Sequence, residues 1–333
     1  MKCVDCGKDA TKKDRDIGGG RCNSCYHAFV TEPLEDGLTD MEIKSAEKAV
    51  SSNGTLFFSK DHLKYQLQRK FNKKIKMCNI ASVVLQLIFL SLLVCAFIFR
   101  SPFIMWTIIA GFIVLVPFGA KARYKKNISK LGVLIDKWVL INPHEKLLTE
   151  EKFQANLANT KADGSSLDDI SFDRVLICDR NETVDFFLSN LFHFHYSCPV
   201  IGVNDYPKGI CEDMVRRLKQ NPNVKVFLLH DYSPAGIAFV RRIKTDPKWF
   251  GGQKVSIVDL GLNLGQKKLF KDMMLRQSDR NGKVKETAEV ALFQPAALVA
   301  LSGAAISEGV PFDLLTAAAA ASYADSGSSG GYG

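Results

Sequence analysis

Two long apolar runs constrain this chain more than any other feature. Residues 77–99 form 23 consecutive positions without a formal charge, and residues 103–120 form another 18. At 1.5 Å of rise per residue, a helix over either run is about long enough to cross a hydrocarbon core of roughly 30 Å. Because only Arg100-Ser101-Pro102 separates the runs, they predict a two-helix transmembrane hairpin over residues 77–122. The alternative is a pair of buried core helices.

Basic residues are concentrated on both sides of these runs. From His62 to Ile135 the chain carries twelve Lys or Arg and no Asp or Glu. Without these twelve, 32 basic residues face 35 acidic ones, so the net charge of +9 indicates membrane flanks rather than nucleic-acid binding. Positive flanks stay on the cytosolic side. We therefore expect a membrane protein with two spans, with the lipid bilayer as its partner and both termini in the cytosol.

Four cysteines near the N-terminus have the spacing of a zinc site. They form two Cys-x2-Cys pairs separated by 15 residues, namely Cys3 with Cys6 and Cys22 with Cys25. Two such pairs complete a closed tetrahedral Zn²⁺ shell, which is structural because no coordination position stays open. Residues 1–32 thus resemble a zinc ribbon, with His27 as an alternative ligand. In a largely cytosolic chain the nine cysteines are expected as thiols or metal ligands, not disulfides.

The segments that flank the apolar runs are predicted to be helical. Residues 33–76 form a membrane-proximal segment, in which Thr39 and Glu42 have the spacing of a capping box. Residues 123–169 form a helical connector that ends in a polar Gly/Ser-containing linker at 161–169. Residues 316–333 are an Ala/Gly/Ser-rich tail, expected to be disordered without a partner.

Residues 170–315 alternate between short apolar strands and helices. The predicted strands are 175–178, 200–203, 224–229 and 255–258, with helices over 182–191, 213–220 and 236–244 between them. This alternation predicts an α/β domain with a mainly parallel sheet that is covered on both faces. The complete fold class is therefore a multidomain membrane protein with a zinc ribbon, a helical hairpin and a C-terminal α/β domain.

Carboxylates follow three of the predicted strands. Asp179 ends the first strand, Asp231 the third and Asp259 the fourth, while Glu182 lies one turn beyond Asp179. Ligands bind beyond the carboxyl ends of parallel strands, and Mg²⁺ prefers oxygen ligands. The four acids are therefore candidate Mg²⁺ ligands. The alternative is that each one caps a helix or is solvated. His193, His195 and His230 are interpreted as structural.

The order of motifs between about 174 and 312 resembles a Toprim domain, most similar to that of the topoisomerase VI A subunit, the meiotic double-strand-break proteins and their bacterial relatives. The residues that carry this resemblance are Glu182 with Phe187 and Leu191, Asp205-Tyr206-Pro207, His230 to Ile237, Leu260-Gly261-Leu262, Glu289 to Leu292, and Leu298 to Gly309.

This resemblance implies that Glu182 and Asp231 bind Mg²⁺ for phosphodiester chemistry. Ser233 departs from the family pattern, because it replaces the second Asp of an Asp-x-Asp motif. The chain also lacks room for the winged-helix domain that breaks DNA in those topoisomerases. One hypothesis is a membrane-anchored, Mg²⁺-dependent nuclease that processes nucleic acid, as in phage defence. The other is a non-catalytic membrane scaffold or interaction protein with a degenerate Toprim domain, in a homo-oligomer or larger membrane assembly.

Overall fold

The fold is that of a computed structural model of the 333-residue chain. The structure describes residues 1–99, 104–149, 151, 172–208, 210–221, 223–250, 254–263, 266, 270–278 and 284–312. For residues 92–99, 104–115, 276–278 and 284–285 it describes the backbone alone. The predictions for the turn at Arg100, the linker 161–169 and the tail 316–333 lie outside the described residues.

The chain divides into two compact units. The first comprises residues 1–47 and 63–144, and the second comprises residues 48–62 and the described residues from 145 onward. The cysteine-rich segment and the helices beside the apolar runs belong to the first unit. The strands belong to the second unit, together with the segment that precedes helix α4. The helices described before residue 150 are α1 (Lys12–Ile17), α2 (Pro33–Asp36), α3 (Asp40–Val50), α4 (Lys60–Phe99), α5 (Ile104–Ser129) and α6 (Leu131–Ile141).

A capping box starts helix α3, as the sequence predicts. The backbone N–H of Glu42 donates to Thr39 Oγ1 at 3.2 Å, and the backbone N–H of Thr39 donates to Glu42 Oε2 at 2.8 Å. The other carboxylate oxygen of Glu42 pairs with Lys74 at 2.7 Å, and Lys70 donates to the Glu42 carbonyl at 2.7 Å. Two basic residues that precede the first apolar run are therefore bound to α3.

Helix α4 is long and apolar enough to cross a membrane. The part of it whose side chains are described, Lys60–Ser91, is the one candidate span among the described residues, and only 6% of its most apolar window is buried. Large apolar side chains along it are 49 to 66% exposed, namely Met77, Ile80, Val83, Val84, Leu87, Ile88 and Leu90. A core helix of a soluble protein would bury such residues. The second apolar run lies in α5, whose side chains are described only from residue 116, so the second span stays a prediction.

The second unit is built on a parallel four-stranded sheet, which confirms the predicted sheet. Its strands are β1 (Arg174–Cys178), β2 (Val200–Gly202), β3 (Lys225–Leu229) and β4 (Ser256–Asp259), in the order β2-β1-β3-β4 with parallel pairing throughout. The helices described around it are α7 (Asn181–Ser189), α8 (Phe192–His195), α9 (Ile210–Gln220), α10 (Pro234–Thr245) and α11 (Pro295–Glu308).

The strands are buried because their apolar residues face helices. Leu176, Ile177, Phe227 and Leu228 are all fully buried. One core cluster joins the sheet to α9 and α10 and includes Val175, Ile177, Ile201, Met214, Leu218, Val226, Leu228, Phe239, Ile243 and Trp249. A near-continuous apolar strand, without polar alternation, is the pattern expected for a parallel sheet with two covered faces.

An antiparallel hairpin follows the sheet and was not predicted. Strands β5 (Leu275–Ser278) and β6 (Val284–Thr287) pair in it. Immediately after β6, Ala288 exchanges backbone hydrogen bonds with Tyr232 at 2.8 and 3.0 Å. This bridge brings the segment after β6 beside the end of β3, and thereby helps to build the candidate site.

Candidate functional sites

Each N-terminal cysteine pair lies in a tight backbone turn, and the two turns match. The N–H of Gly7 donates to the Cys3 carbonyl at 3.1 Å, and the N–H of Tyr26 donates to the Cys22 carbonyl at 2.9 Å. Gly7 and Tyr26 both adopt a left-handed conformation, with φ of 74° and 60°. Glycine adopts this conformation freely, whereas tyrosine does so at a cost. The repeated turn directs both thiols of each pair to the same side.

The four thiols converge on one point. The Sγ atoms of Cys3 and Cys25 are 3.6 Å apart, as are those of Cys6 and Cys22, and all four lie within 4.8 Å of one another. A tetrahedron with Zn–S bonds of 2.3 Å has edges of about 3.8 Å. Donor type and spacing therefore fit a zinc ion, and the predicted ligands Cys3, Cys6, Cys22 and Cys25 are brought together. His27 is not part of this group.

The pKa values of the thiols indicate that a bound cation would stabilise this cluster. Backbone N–H groups of Cys25 and Ser24 lower the pKa of Cys22 to about 6. The backbone N–H of His27 favours the thiolate of Cys25, but burial and the neighbouring thiols raise the pKa of Cys25 to about 12. One thiolate forms readily, and its negative charge then disfavours deprotonation of the neighbouring thiols. A divalent metal removes this opposition, because a coordinated thiol is deprotonated.

The acidic site lies at the point where the sheet reverses its strand order. In the order β2-β1-β3-β4, the chain moves from β1 to one side and then returns to build β3 and β4 on the other side. In open α/β sheets, ligands bind beyond the carboxyl ends of the two strands that flank this switch point. Asp179 directly follows β1, and Asp231 lies two residues beyond β3. The topology therefore places the two acids at the expected position.

Backbone hydrogen bonds hold these two acids. The N–H of Asp231 donates to Asp179 Oδ2 at 3.0 Å, and the N–H of Val290 donates to Asp231 Oδ1 at 2.7 Å. Asp231 is 8% exposed. Burial, together with the charge of Asp179, raises the pKa of Asp231 to about 7, and burial also raises the pKa of Asp179. The folded chain therefore disfavours the simultaneous ionisation of Asp179 and Asp231.

The guanidinium of Arg180 lies at the centre of the acidic site. It is 3.4 Å from Asp231, 3.3 Å from Glu289, 3.5 Å from Glu182 and 3.7 Å from Asp61. These carboxylates come from four separate parts of the second unit. The first turn of α4 contributes Asp61, α7 contributes Glu182, and the segments after β3 and β6 contribute the others. We refer to Arg180 and these four acids as the Arg180 cluster.

A Mg²⁺ site at these carboxylates is not supported by their spacing. Among the described residues, the four cysteines are the only group of three or more His, Cys, Asp or Glu side chains close enough to share a metal ion. The carboxylates instead surround Arg180, and the cavity between them encloses only about 20 Å³. That volume suits about one water molecule. These carboxylates are therefore paired with a positive charge that the chain itself supplies.

Ser233 has a structural role at the start of α10. Its Oγ accepts a hydrogen bond from the N–H of Gly236 at 2.9 Å, and Ser233 is the N-cap of α10. Pro234 follows at the first helical position, where its missing N–H costs nothing. Serine is among the preferred residues at an N-cap. The residue that departs from the Toprim pattern is thus accounted for by the start of this helix.

Asp259 lies apart from the Arg180 cluster and pairs with a histidine. Its Oδ1 is 3.1 Å from Nε2 of His230, while Nδ1 of His230 is 2.9 Å from the Asp231 carbonyl. His230 is 3% exposed. Burial disfavours the imidazolium, yet the contacts with Asp259 and the Asp231 carbonyl raise the pKa of His230. Burial also disfavours the Asp259 charge, but His230 lowers the pKa of that carboxyl.

The predicted acids thus have different neighbours. Glu182 and Asp231 meet at Arg180, Asp179 contacts the Asp231 backbone, and Asp259 faces His230. Sequence reasoning missed the other participants, which are Asp61, Arg180 and Glu289. Arg180 had a usable signal, because it follows Asp179 at the end of β1. Asp61 had none, since no local pattern relates the start of α4 to the edge of the sheet.

Comparison of the chain with protein-family models, with curated proteins and with solved structures found no match in any of the three. The Toprim resemblance is therefore not supported by a family match. It stays an interpretation of the quoted motifs, and the parallel sheet is compatible with it.

Proposed function

We propose that this chain is a membrane-anchored interaction protein whose zinc-binding segment is structural and whose Toprim-like α/β domain binds a partner without cleaving it. The position of Arg180 among Asp61, Glu182, Asp231 and Glu289 carries this proposal. An arginine cannot be deprotonated in a protein, so its charge persists at every working pH. It neutralises part of the site permanently and opposes the entry of a divalent cation.

Two further observations support a non-catalytic domain. The cavity at the Arg180 cluster is too small for a nucleotide, at about 20 Å³. Ser233 supplies no charge, and its hydroxyl is engaged at the N-cap of α10. A Mg²⁺-dependent hydrolase requires charged ligands and space for both the metal ion and the phosphate.

A Mg²⁺-dependent nuclease is the second candidate, and one specific observation favours it. Four carboxylates surround a single guanidinium, and a fifth, Asp179, lies next to Asp231. Burial, and after it the charge of Asp179, raises the pKa of Asp231. Additional positive charge would stabilise such a site, provided that Arg180 moved away.

Cleavage of plasmid and single-stranded DNA separates the two candidates. The full-length protein is assayed with Mg²⁺ and with Mn²⁺, beside Asp231→Ala, Glu182→Ala and Ser233→Asp. If the chain is an interaction protein, we expect the wild type to show no metal-dependent cleavage that depends on Asp231. Metal-dependent cleavage by the wild type that is lost in both alanine variants would overturn the proposal and establish the nuclease.

The membrane topology belongs to the same proposal. We propose that both apolar runs cross the bilayer and that both termini are cytosolic. Support comes from the length of α4, the helical backbone of α5, and the basic residues on the outer side of each run. Labelling of single introduced cysteines with an impermeant thiol reagent tests it. Labelling of either terminus from outside intact cells would contradict it.

Assembly into a homo-oligomer or a larger membrane complex stays a prediction. The molecular mass of the detergent-solubilised full chain, corrected for bound detergent, tests it. A mass equal to one 36.9 kDa chain at every protein concentration would contradict a homo-oligomer.

A further inference from the structure

A second concave site lies on the other side of the segment 230–232 from the Arg180 cluster. Asp231 lines the small cavity of that cluster, whereas His230 and Tyr232 line the second site. The second site has a volume of about 650 Å³, which is within the range of about 300–1,000 Å³ typical of ligand pockets. We call it the α10 groove, because that helix forms one of its walls.

One face of α10 supplies both apolar and cationic groups to this groove. Ile237, Val240, Arg241 and Lys244 all line it. Their spacing of three, four and seven residues places them on a single helix face. Ile237 is 57% exposed. An apolar stripe that continues into two cations is thus open to a ligand along one helix.

The acid in the groove only partly offsets the two cations of this face. Among the described residues no ion pair involves Arg241 or Lys244, whereas the neighbouring Arg242 pairs with Asp246 at 3.8 Å. The acid of the groove, Asp259, lies 3.1 Å from His230, and the charge of Lys244 also lowers its pKa. One acid thus stands against two cations. The groove therefore has an excess of positive charge, although the second unit as a whole contains many acids.

An aromatic residue is also part of the lining. Tyr232 and Leu262 line the groove together with the α10 face. A backbone bridge to Ala288 fixes Tyr232, and its ring lies 6.2 Å from that of Phe270. Cations that follow a phosphate backbone, combined with an aromatic ring on which a base stacks, are the elements of single-strand recognition. A base in a duplex is already stacked and paired, so it does not reach such a wall.

We infer that the α10 groove binds a single nucleic-acid strand, with phosphates at Arg241 and Lys244 and an unpaired base against Tyr232. The inference rests on the proposed function in one respect: it names the partner that the interaction domain binds. It does not require cleavage, and it uses no residue of the Arg180 cluster.

Fluorescence anisotropy of a labelled single-stranded oligonucleotide of about 12 nucleotides tests this inference. The full chain is placed in nanodiscs of neutral lipid, without added Mg²⁺. Arg241→Ala/Lys244→Ala is expected to weaken binding at least about 10-fold. It should also reduce the slope of log K against log salt by about 1.4, which corresponds to about 0.7 for each lost phosphate contact. Tyr232→Ala is expected to weaken binding about 10-fold with little change in that slope.

Arg216→Ala/Lys219→Ala is the matched control, because it removes the same charge from α9, which does not line the groove. The control pair is expected to bind as the wild type does. Equal losses in both pairs, or no loss in the groove pair, would overturn the inference. A mononucleotide that binds as tightly as the oligonucleotide would overturn the assignment to a strand. Thermal melting of each variant shows that it is folded.

The outcomes for the groove and for the proposed function are separable. Strand binding that needs Arg241 and Lys244, together with metal-dependent cleavage that needs Asp231, would keep this inference and refute the non-catalytic function. Absence of both strand binding and cleavage would refute the inference. The proposal of an interaction protein would then remain, with a partner other than a nucleic-acid strand.

Discussion

Nη1 of Arg180 lies 3.4 Å from Oδ2 of Asp231. Arg180 follows the end of β1, and Asp231 follows the end of β3. The same nitrogen is 3.3 Å from Oε1 of Glu289. Arg180 is 30% exposed, whereas the Asp231 side chain is 12% exposed. The pair therefore joins two strand ends across the switch point of the sheet.

Replacement of this guanidinium is expected to destabilise the domain. In Arg180→Ala, the carboxylates of Glu182, Asp231 and Glu289 lose their shared cation and repel one another. Because the guanidinium is partly exposed, we expect a loss on the order of 1–2 kcal/mol near neutral pH. The melting temperature should recover at about pH 5, where Asp231 is protonated, and on addition of Mg²⁺, which can replace the lost charge.

Arg180→Lys is the control for this experiment. It keeps the charge but lacks the planar fork that contacts several carboxylates, so an intermediate melting temperature is expected. A melting temperature of Arg180→Ala equal to that of the wild type at both pH values would contradict the role given to Arg180.

Asp231 should make the stability of the domain depend on pH. Its pKa rises from 3.8 to about 7 on folding, so the unfolded chain releases this proton more easily. The associated stability is fully present below about pH 4 and is lost as the pH rises through about 7. Asp231→Asn cannot ionise, and its side-chain oxygen can still accept from Val290. We expect this variant to exceed the wild type by roughly 1–3 kcal/mol at about pH 8.

The difference between Asp231→Asn and wild type should vanish towards about pH 4, where the wild-type acid is also neutral. Melting curves of the two proteins across the pH range measure it. A difference that does not change with pH would show that Asp231 does not titrate in this range.

Glu47 is expected to behave in the same way in the first unit. It is 5% exposed, and burial raises its pKa from 4.5 to about 7. Its contribution to stability is therefore lost as the pH rises through about 7. Glu47→Gln should be more stable than the wild type by up to about 3 kcal/mol at about pH 8 and equal to it near pH 4. Glu42→Gln is a useful contrast, because the pKa of Glu42 is lowered, and this variant should lose stability at about pH 8.

The N-cap role of Ser233 leads to a pair of opposite expectations. Ser233→Ala removes the acceptor for the Gly236 N–H and should cost about 1 kcal/mol. Ser233→Asp keeps an acceptor at the helix start and should leave the stability within about 0.5 kcal/mol of the wild type. Chemical denaturation of both variants measures the difference. Equal stability of Ser233→Ala and wild type would remove the structural account of this residue.

The purified chain should contain about one zinc ion, held by the four thiols. Cys22→Ser replaces a thiolate with a weak ligand and should reduce the zinc content well below that value. Cys78→Ser is the matched control, because Cys78 lies on α4, outside the cluster. Elemental analysis of both variants decides the question. Normal zinc content in Cys22→Ser would contradict the assignment of Cys22 as a ligand.

Local patterns were enough to predict the sheet and the thiol cluster. The apolar runs at Val175 to Cys178 and Val226 to Leu229 are continuous, and such runs between helices occur where both faces of a strand are buried. The two Cys-x2-Cys pairs bring their own turn geometry, so Cys3 and Cys22 could be assigned from spacing alone. In both cases the information lies within a few consecutive residues.

The arrangement of the Arg180 cluster could not be predicted in the same way. The sequence shows that Asp179, Asp231 and Asp259 each follow a strand, but it does not show which of them face each other. Asp259 adjoins His230 because β4 is the outer neighbour of β3. Asp61 joins the cluster only through tertiary packing. Such contacts depend on strand order and on segments that are remote in sequence, which no local periodicity encodes.

The absence of a side chain at Gly261 makes room for the imidazole of His230. A Cβ atom at this residue would lie 2.0 Å from Nε2 of His230, and a Cβ atom at Gly236 would lie 2.1 Å from the Asp231 carbonyl oxygen. The imidazole therefore fits only where residue 261 has no side chain. Among natural variants of this chain, any residue other than glycine at 261 should be accompanied by a smaller residue at 230. Positions 230 and 261 are thus expected to covary, and a survey of related genomes can reveal this coupling without any protein being made.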